Sequence, residues 1–367
     1  MQTLSENAFM IPPRTRDVTQ SMTMLRTTQR RPTISDVAKM ANVSIATVSR
    51  VVNGTAPVAE ETVQQVWQAI DALNYMPSSA ARSLAGRRTG SIGLFLPRTS
   101  GAFFASMLQG VETGVRESGF ELLIHAHPQV AREGSRVSNL AGLPLGEHNT
   151  DGILVFTDCL SDDEIRRLFL RGFPQVLLFR SAPPGVEIPC VNIENKAGAR
   201  QLVDHLIEVH GRRRIAFLRG ADGNEDTLWR ERGYLESLAA HGIAVDPELL
   251  AVGGFTDVIA QAAVEDWISR GVVFDAIFSG DDDAATGVFL ALRQAGLRVP
   301  EDVSVVGFDD LAYARVVLPP LTTVRAPIEA AGLAAARQLT SLIQTGMAEM
   351  HTLLPTEPVI RQSCGCP

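Results

Sequence analysis

From Ser91 onward the chain repeats one theme: a short apolar run, then a segment whose apolar residues recur at helical spacing. The runs are "SIGLFLP", "FELLIHA", "TDGILVFT", "PQVLLFR", "RRIAFLRG", "FDAIFSG" and "VSVVGFDD". Continuous apolar runs of this length suit strands buried on both faces, and the helix-length segments between them allow parallel crossovers. Parallel sheets with helices on both faces follow. These runs are too many for one compact sheet of ordinary size, so the expected architecture is two doubly wound α/β lobes. The break falls near Pro189–Asn192, and "PPLTTVRAP" (Pro319–Pro327) has the character of a return crossover. The expected first lobe is about 91–190 with 324–345, and the second about 191–320 with 350–361, ahead of a tail, 362–367.

The segment before Ser91 has another texture. Thr33 opens "ISDVAKMA", in which Ile34, Val37, Ala38 and Ala41 recur at helical spacing, and Thr33 to Asp36 reads as a capping box with Asp in place of Glu. Asn42-Val43 breaks the pattern, Ser44 can cap a second helix to about Val52, and Asn53-Gly54 stops it. Ala59 to Leu73 reads as a third helix with Val63, Val66, Trp67, Ile70 and Leu73 on one face. A three-helix head over 32–76 is therefore expected, then a small, polar linker over 77–90 that could become helical. Residues 1–31 contain no continuous apolar segment of the secretory kind and read as a disordered leader. No run of about 18 apolar residues occurs, so no membrane span is expected. Four cysteines among 367 residues do not form a disulfide framework, and a cytoplasmic location fits best.

Charge separates the two parts. The chain carries a net −8, yet Arg30 to Gly90 holds seven basic residues against four acidic ones, and the chain from Ser91 holds 23 against 35. A small basic head on an acidic body points to a polyanion met by the head alone, although a solvated face produces so small a bias equally well. Two short helices joined by a tight turn fit a helix-turn-helix, whose second helix enters the major groove of DNA. Thr33, Ser44, Ile45, Ala46, Thr47, Ser49, Arg50 and Asn53 are then the candidates for groove and phosphate contacts, with Val48, Val51 and Val52 turned inward. Any small three-helix bundle shares this pattern. In the linker, Leu84 among small residues suits a wedge between base pairs, or a side chain packed on the body.

The stretch "TISDVAKMANVSIATVSRVVNG" with "SSAARSLAGRRTGSIGLFLP" closely resembles the head and hinge of the LacI/GalR family of bacterial transcriptional repressors. The likeness continues through "FFASMLQGVETG", "VNIENKAGARQLVDHLIEVHGRRRIAFLRG", "FDAIFSGDDDAATGVFLALRQAGLRVPEDVSVVGFDD" and "PPLTTVRAPIEAAGLAA", covering about Pro32 to Arg361. It implies a homodimer or a dimer of dimers. Each subunit would have a two-lobed core of periplasmic-binding-protein type, a carbohydrate effector between the lobes, and a hinge that folds on pseudo-palindromic operator DNA. By that resemblance Ile45, Ala46 and Arg50 read bases, with Arg50 able to pair with a guanine. Ala81, Leu84 and Ala85 take the hinge's minor-groove positions, Leu84 as the wedge, and the operator has a flexible central step. Phe103, Arg230, Asp281 and Asp309 take ligand positions, with Asp226, Asp282 and Glu194 near the same rim. These residue types suit a polyol: carboxylates accept from hydroxyls, Arg spans two oxygens and an aromatic face covers C–H surface. The family often has Asn where Asp281 stands, which leaves the hydroxyl pattern, or a cationic ligand, open.

Other uses of these residues carry less. Phe104 suits the core, Asp282 suits a cap on the helix beginning near Ala284, and Asp310 suits a solvated position. The "GDDDAA" run has the composition of a metal cluster, but adjacent side chains point apart, and no P-loop, GxSxG or HExxH is present, so no enzyme and no cofactor are expected. A stand-alone sugar-binding protein would use the body only, and the head argues against it. Cys364 and Cys366 in "SCGCP" could bind metal or form an intermolecular disulfide, but two soft ligands do not complete a tetrahedral site. A reduced, mobile tail and no metal are the expectation.

Overall fold

A computed structural model describes residues 32–53, 56–75, 88–126 and 143–367, which fall into two units divided between residues 78 and 79. The leader 1–31, Gly54 and the hinge residues Ala81, Leu84 and Ala85 lie outside the described residues, as does the side chain of Asn53.

The first unit contains helices α1 (Ile34–Met40), α2 (Ile45–Asn53) and α3 (Glu60–Leu73). The carboxylate of Asp36 accepts from both the backbone N–H (2.8 Å) and the hydroxyl (2.7 Å) of Thr33 at the mouth of α1. The Thr33 hydroxyl is thereby engaged within the head. The turn between α1 and α2 is closed by Val43 N–H donating to Ala38 O at 3.0 Å, with Asn42 in the left-handed region, which Asn tolerates better than most residues. Ser44 caps α2, its Oγ accepting from Thr47 N–H at 3.0 Å. Val37, Ala38, Ala41, Val48, Val66, Ala69 and Ile70 form the core, with Val51 and Val52 packed half-buried against it. Trp67, expected on the inner face of α3, is instead 45% exposed. The inner stripe runs through Val66, Ala69, Ile70 and Leu73, and the next residue round the helix turns out of so small a bundle.

The second unit holds β1 (Ser91–Leu96), α4 (Ala102–Glu117), β2 (Glu121–Ala126), β3 (Gly152–Phe156), α5 (Asp162–Leu170), β4 (Gln175–Leu178) and β5 (Cys190–Ile193). Next come α6 (Asn195–Glu208), β6 (Ile215–Arg219), α7 (Glu225–Ala240), β7 (Leu250–Val252), α8 (Asp257–Ser269), β8 (Ala276–Ser279), α9 (Asp282–Gln294) and β9 (Ser304–Val306). It ends with β10 (Thr323–Arg325), α10 (Ile328–Thr345), β11 (His351–Leu354) and β12 (Glu357–Val359). One parallel sheet has the order β11-β5-β4-β3-β1-β2 and another the order β7-β6-β8-β9. β10 and β12 pair antiparallel where the chain passes between them. Strands β1, β3, β4 and β8 are buried along their whole length, so their continuous apolar runs have helices on both sides.

The chain crosses between lobes three times: after β5, through β10, and between β11 and β12. The last crossing differs from expectation. Residues 351–354, assigned from sequence to the second lobe, run parallel to β5 in the first sheet. α10 returns the chain over that sheet, and the edge of β5 has peptide groups to satisfy: Cys190 N–H donates to Met350 O at 3.0 Å and Glu194 N–H to Leu354 O at 2.8 Å. The tail also departs from the mobile segment expected: Cys364 is fully buried, with its carbonyl accepting from Ser304 Oγ at 2.7 Å. No helix among the described residues is long and apolar enough to cross a membrane.

Candidate ligand cleft and nucleic-acid interface

Parallel strands end with their carboxyl termini on one side of a sheet, and ligands collect there. In the second unit both sheets deliver such ends to one cavity of about 330 Å³. β1 leads to Arg98 and to Phe103 and Phe104 on the first turn of α4, and β3 leads to Thr157. From the other lobe, β6 leads to Asn224, Asp226 and Arg230, β8 to Asp281 and Asp283, and β9 to Asp309.

The first lobe supplies an aromatic wall. Phe103 and Phe104 lie 5.3 Å apart edge-to-face, and Phe104 and Phe156 lie 5.3 Å apart at a tilt. Phe179 backs Phe103 at 5.4 Å. Phe103 remains half-buried at the cavity, whereas Phe104 is buried, part of the core as expected, and also lines the cavity.

The second lobe supplies a polar floor built around Arg230, which is only 3% exposed. Its Nε donates to Asn195 Oδ1 at 2.8 Å and one terminal nitrogen to Gly280 O at 2.5 Å, while the other stands 3.4 Å from Asp309 Oδ1. The guanidinium lies 3.8 Å from the centre of the Phe308 ring, which packs against its face. Asn195 then donates to Asp226 Oδ1 at 2.8 Å, joining four side chains from three elements into one network. α7 comes close enough to α6 for this because residue 233 is Gly: a Cβ there would stand 2.3 Å from Lys196 O. Asp309 sits at φ 112°, a strained conformation for a non-glycine residue, with its N–H donating to Val324 O at 2.7 Å.

One guanidinium faces three buried carboxyls, so charge is not balanced. Burial pushes Asp226 up to about 6 although Arg230 and the Asn195 amide pull it down. Burial pushes Asp281 up to about 7, against the Ala284 N–H it accepts. Asp309 rises well above the usual carboxylate range: its burial and its acidic neighbours outweigh a single long contact with Arg230. Such a floor offers several carboxyl oxygens that a polyhydroxylated ligand can engage with its hydroxyls.

The three adjacent aspartates do point apart. Asp281, not Asp282, caps α9, accepting from Ala284 N–H at 2.8 Å, because the helix begins two residues earlier than the sequence suggests. Asp282 is fully buried away from the cavity, accepting from Leu311 N–H at 2.8 Å and Thr323 Oγ1 at 2.6 Å, and burial pushes it up to about 8. Asp283 accepts from the Tyr313 hydroxyl and faces Arg98 of the other lobe at 3.9 Å. Glu194 is spent as the cap of α6, accepting from Lys196 and Ala197 N–H at 3.1 Å each. Asp310 is not solvated: it is buried among Arg315, Arg325 and Arg361. Asn195, Asn224, Phe255 and Arg98 were not singled out from sequence. Asn195 lies in the quoted run "VNIENKAG", but its role depends on α7 packing beside it.

In the first unit Ser44, Ile45, Ala46 and Arg50 form an exposed end and face of α2, with Thr47 and Ser49 half-buried beside them. Ile45 is 50% exposed, although an apolar, β-branched side chain at a helix start gains nothing from water. Thr47 Oγ1 lies 2.9 Å from Ser44 Oγ, so two hydroxyls share the helix mouth.

Comparisons with known proteins agree with this division. Residues 33–78 match the model for "Bacterial regulatory proteins, lacI family", and residues 203–364 match "Periplasmic binding protein-like domain". The chain is 35% identical to the HTH-type transcriptional regulator CelR of Thermobifida fusca, over 91% of this chain and 99% of that protein. It is 33% identical to the ribose operon repressor of Halalkalibacterium halodurans, over 90% and 96%. Among solved structures, the CelR–cellobiose complex superimposes with a TM-score of 0.67 at 33% identity, covering 91% of this chain and all of that one. The lac repressor dimer bound to operator and the anti-inducer ONPF does so with a TM-score of 0.73 at 26% identity, covering 91% and 99%.

Proposed function

This chain belongs to the LacI family of bacterial regulatory proteins, and from that premise we propose that it is a transcriptional repressor whose operator affinity is set by a sugar or related polyol held between the lobes of its core. The observation that carries the effector class is the buried Asp226–Asn195–Arg230–Asp309 network opposite an aromatic wall. Hydroxyls donate to the carboxylates, Arg230 donates to a ring or hydroxyl oxygen, and Phe103 covers C–H surface. That a relative is named a ribose operon repressor and a neighbour is a complex with cellobiose supports the same class.

The DNA reading rests on α2. Arg50 donates to a guanine edge, Ile45 and Ala46 meet thymine methyls, and Ser44, Thr47, Ser49 and Asn53 contact phosphates, while Thr33, its hydroxyl held by Asp36, secures the start of the head. Ala81, Leu84 and Ala85 enter the minor groove, Leu84 as the wedge. A homodimer presents two heads to a pseudo-palindromic operator in the cytoplasm. Two contacts across the cleft mouth suit the ligand-dependent step: Arg98 to Asp283 at 3.9 Å, and Glu225 accepting from Ser181 N–H and Oγ at 2.6 Å each. A sugar that bridges the lobes favours this closed arrangement, and the lobe angle governs how the paired hinges align.

The test combines a thermal-shift screen of mono- and disaccharides with gel shifts on the DNA upstream of the chain's own coding sequence. At least one sugar should stabilise the wild type and alter its operator affinity. Arg230→Lys, which keeps the charge but loses the planar fork, should lose at least tenfold in sugar affinity. Leu84→Ala should weaken specific DNA binding and leave sugar affinity unchanged. If no sugar acts, or Arg230→Lys responds as the wild type does, the effector assignment fails. Binding no tighter than to random duplex at matched salt removes the regulator reading.

A further inference from the structure

The C-terminal tail meets α6 at a cluster that the repressor reading does not use. His205 lies in the last turn of α6 and His210 just beyond its end, while Cys364 and Cys366 approach from the final turn of the chain. The four potential ligand atoms all lie within 4.8 Å of one another. Cys364 Sγ is 3.5 Å and Cys366 Sγ 3.6 Å from His205 Nε2, and Cys366 Sγ is 3.4 Å from His210 Nε2.

Two arrangements bring sulfur and nitrogen this close. In a hydrogen-bonded cluster, one imidazole nitrogen has one in-plane lone pair or one proton, so His205 Nε2 can satisfy one of its two sulfurs. In a tetrahedral zinc site, bonds of about 2.3 Å to sulfur and about 2.0–2.1 Å to nitrogen place S and N about 3.5–3.6 Å apart. The three S···N distances of 3.4–3.6 Å match the second geometry, and all four ligand atoms lie close enough for small side-chain adjustments to complete it.

The backbone is shaped for the same approach. Gly365 holds φ 113°, and a Cβ on it would stand 3.0 Å from His210 Nδ1, so a side chain between the two cysteines would press on the second imidazole. The Thr322 hydroxyl stands 3.2 Å from Cys364 Sγ, where it can donate to a thiolate. The segment is anchored by Ser363 Oγ donating to Val305 O at 2.6 Å and Ser304 Oγ to Cys364 O at 2.7 Å.

We propose that His205, His210, Cys364 and Cys366 form a structural Cys2His2 site for zinc or a similar soft divalent ion, tying the C-terminus to α6. All four positions are filled by protein, which suits a structural ion and leaves no place for a reacting water. On binding, each thiol releases its proton to solvent and the two thiolates balance the ion's charge, while both imidazoles coordinate neutral through Nε2. The sequence reading stopped at the two cysteines because the histidines lie more than 150 residues upstream.

The test uses the full chain without an affinity tag, stripped by a chelator under reducing conditions and reloaded with Zn2+ or Co2+ alone. Wild type should take up one equivalent of zinc and melt at a higher temperature. Its cobalt form should show strong tetrahedral visible bands and thiolate-to-cobalt charge transfer in the near ultraviolet. Because Cys364 is buried, the variants are Cys366→Ser and His210→Ala, on the half-buried side; a cooperative melt of the metal-free form shows that each folds. Both should lose zinc affinity by more than the roughly 100-fold that changes around a ligand shell cost, and Cys366→Ser should weaken the charge-transfer band. A cobalt spectrum without charge transfer, no zinc uptake by wild type, or variants that respond to zinc as wild type does would overturn the site.

Discussion

Asp281 answers two demands with one carboxylate: it caps α9 and it lines the cleft. Its pKa, raised by burial from 3.8 to about 7, means that between these values the folded chain holds a proton the unfolded chain has released. Stability from that proton is present at the acid end of this window and is lost as pH rises. Asp281→Asn keeps a good cap and removes the titration. The variant should therefore gain on the wild type between pH 5 and pH 8, by up to about 3 kcal/mol for the roughly two pH units below 7 at about 1.4 kcal/mol per unit. Thermal melts of both proteins at the two pH values check this; parallel pH dependences would show that Asp281 stays ionised. Since charge-assisted hydrogen bonds from hydroxyls need the carboxylate, sugar affinity in the wild type should rise over the same range.

At the scale of elements, the pairing of α6 with α7 sets the polar floor. α6 contributes Asn195 from its first turn, and α7 contributes Asp226 and Arg230. Their approach depends on Gly233 lying against the backbone of Lys196. Helix propensity favours Ala over Gly by about 1 kcal/mol, but a methyl 2.3 Å from a carbonyl oxygen overpacks the contact, at about 1–3 kcal/mol. The obstacle is backbone rather than a flexible side-chain end, so the clash prevails. Gly233→Ala should lower the melting temperature by several degrees and reduce sugar affinity, because Arg230 and Asn195 move apart. Calorimetry on both proteins decides it, and a stabilised variant would show that the helices have room to part.

For the whole second unit, three crossings join the lobes, and two polar contacts, short for Glu225 with Ser181 and long for Arg98 with Asp283, span the cleft mouth. Glu225 does not line the cavity, yet both its oxygens accept from Ser181 of the other lobe. Glu225→Ala removes that latch without touching the ligand. It should raise the sugar dissociation constant about tenfold, or about 1.4 kcal/mol, mainly through faster release. Stopped-flow measurement of sugar release distinguishes this from a loss of contacts; an unchanged release rate would mean that the latch does not hold the closed state.

The helix-turn-helix and the alternation of strands and helices were legible in the sequence because each is written in local spacing: capping residues, helical periods, apolar runs; the family was legible only through the resemblance of whole motifs. Phe103, Asp226, Arg230, Asp281 and Asp309 were named from the sequence, and the structure gathers all five at one cavity. What each does there was not legible. Which of three adjacent aspartates caps and which is buried depends on where α9 begins, and the Asp310 side chain is enclosed because Arg325 and Arg361 from later segments join the nearby Arg315 around it. Strand β11 joins the first sheet because the edge of β5 has unpaired peptide groups, a condition no local pattern encodes. Cys364 and Cys366 meet two histidines only because the last turn of the chain docks beside β9 and the end of α6. Local sequence determined the elements and the residue types each offers. Tertiary structure decided which of those residues share a buried space, since burial and proximity between distant segments arise only when the elements pack.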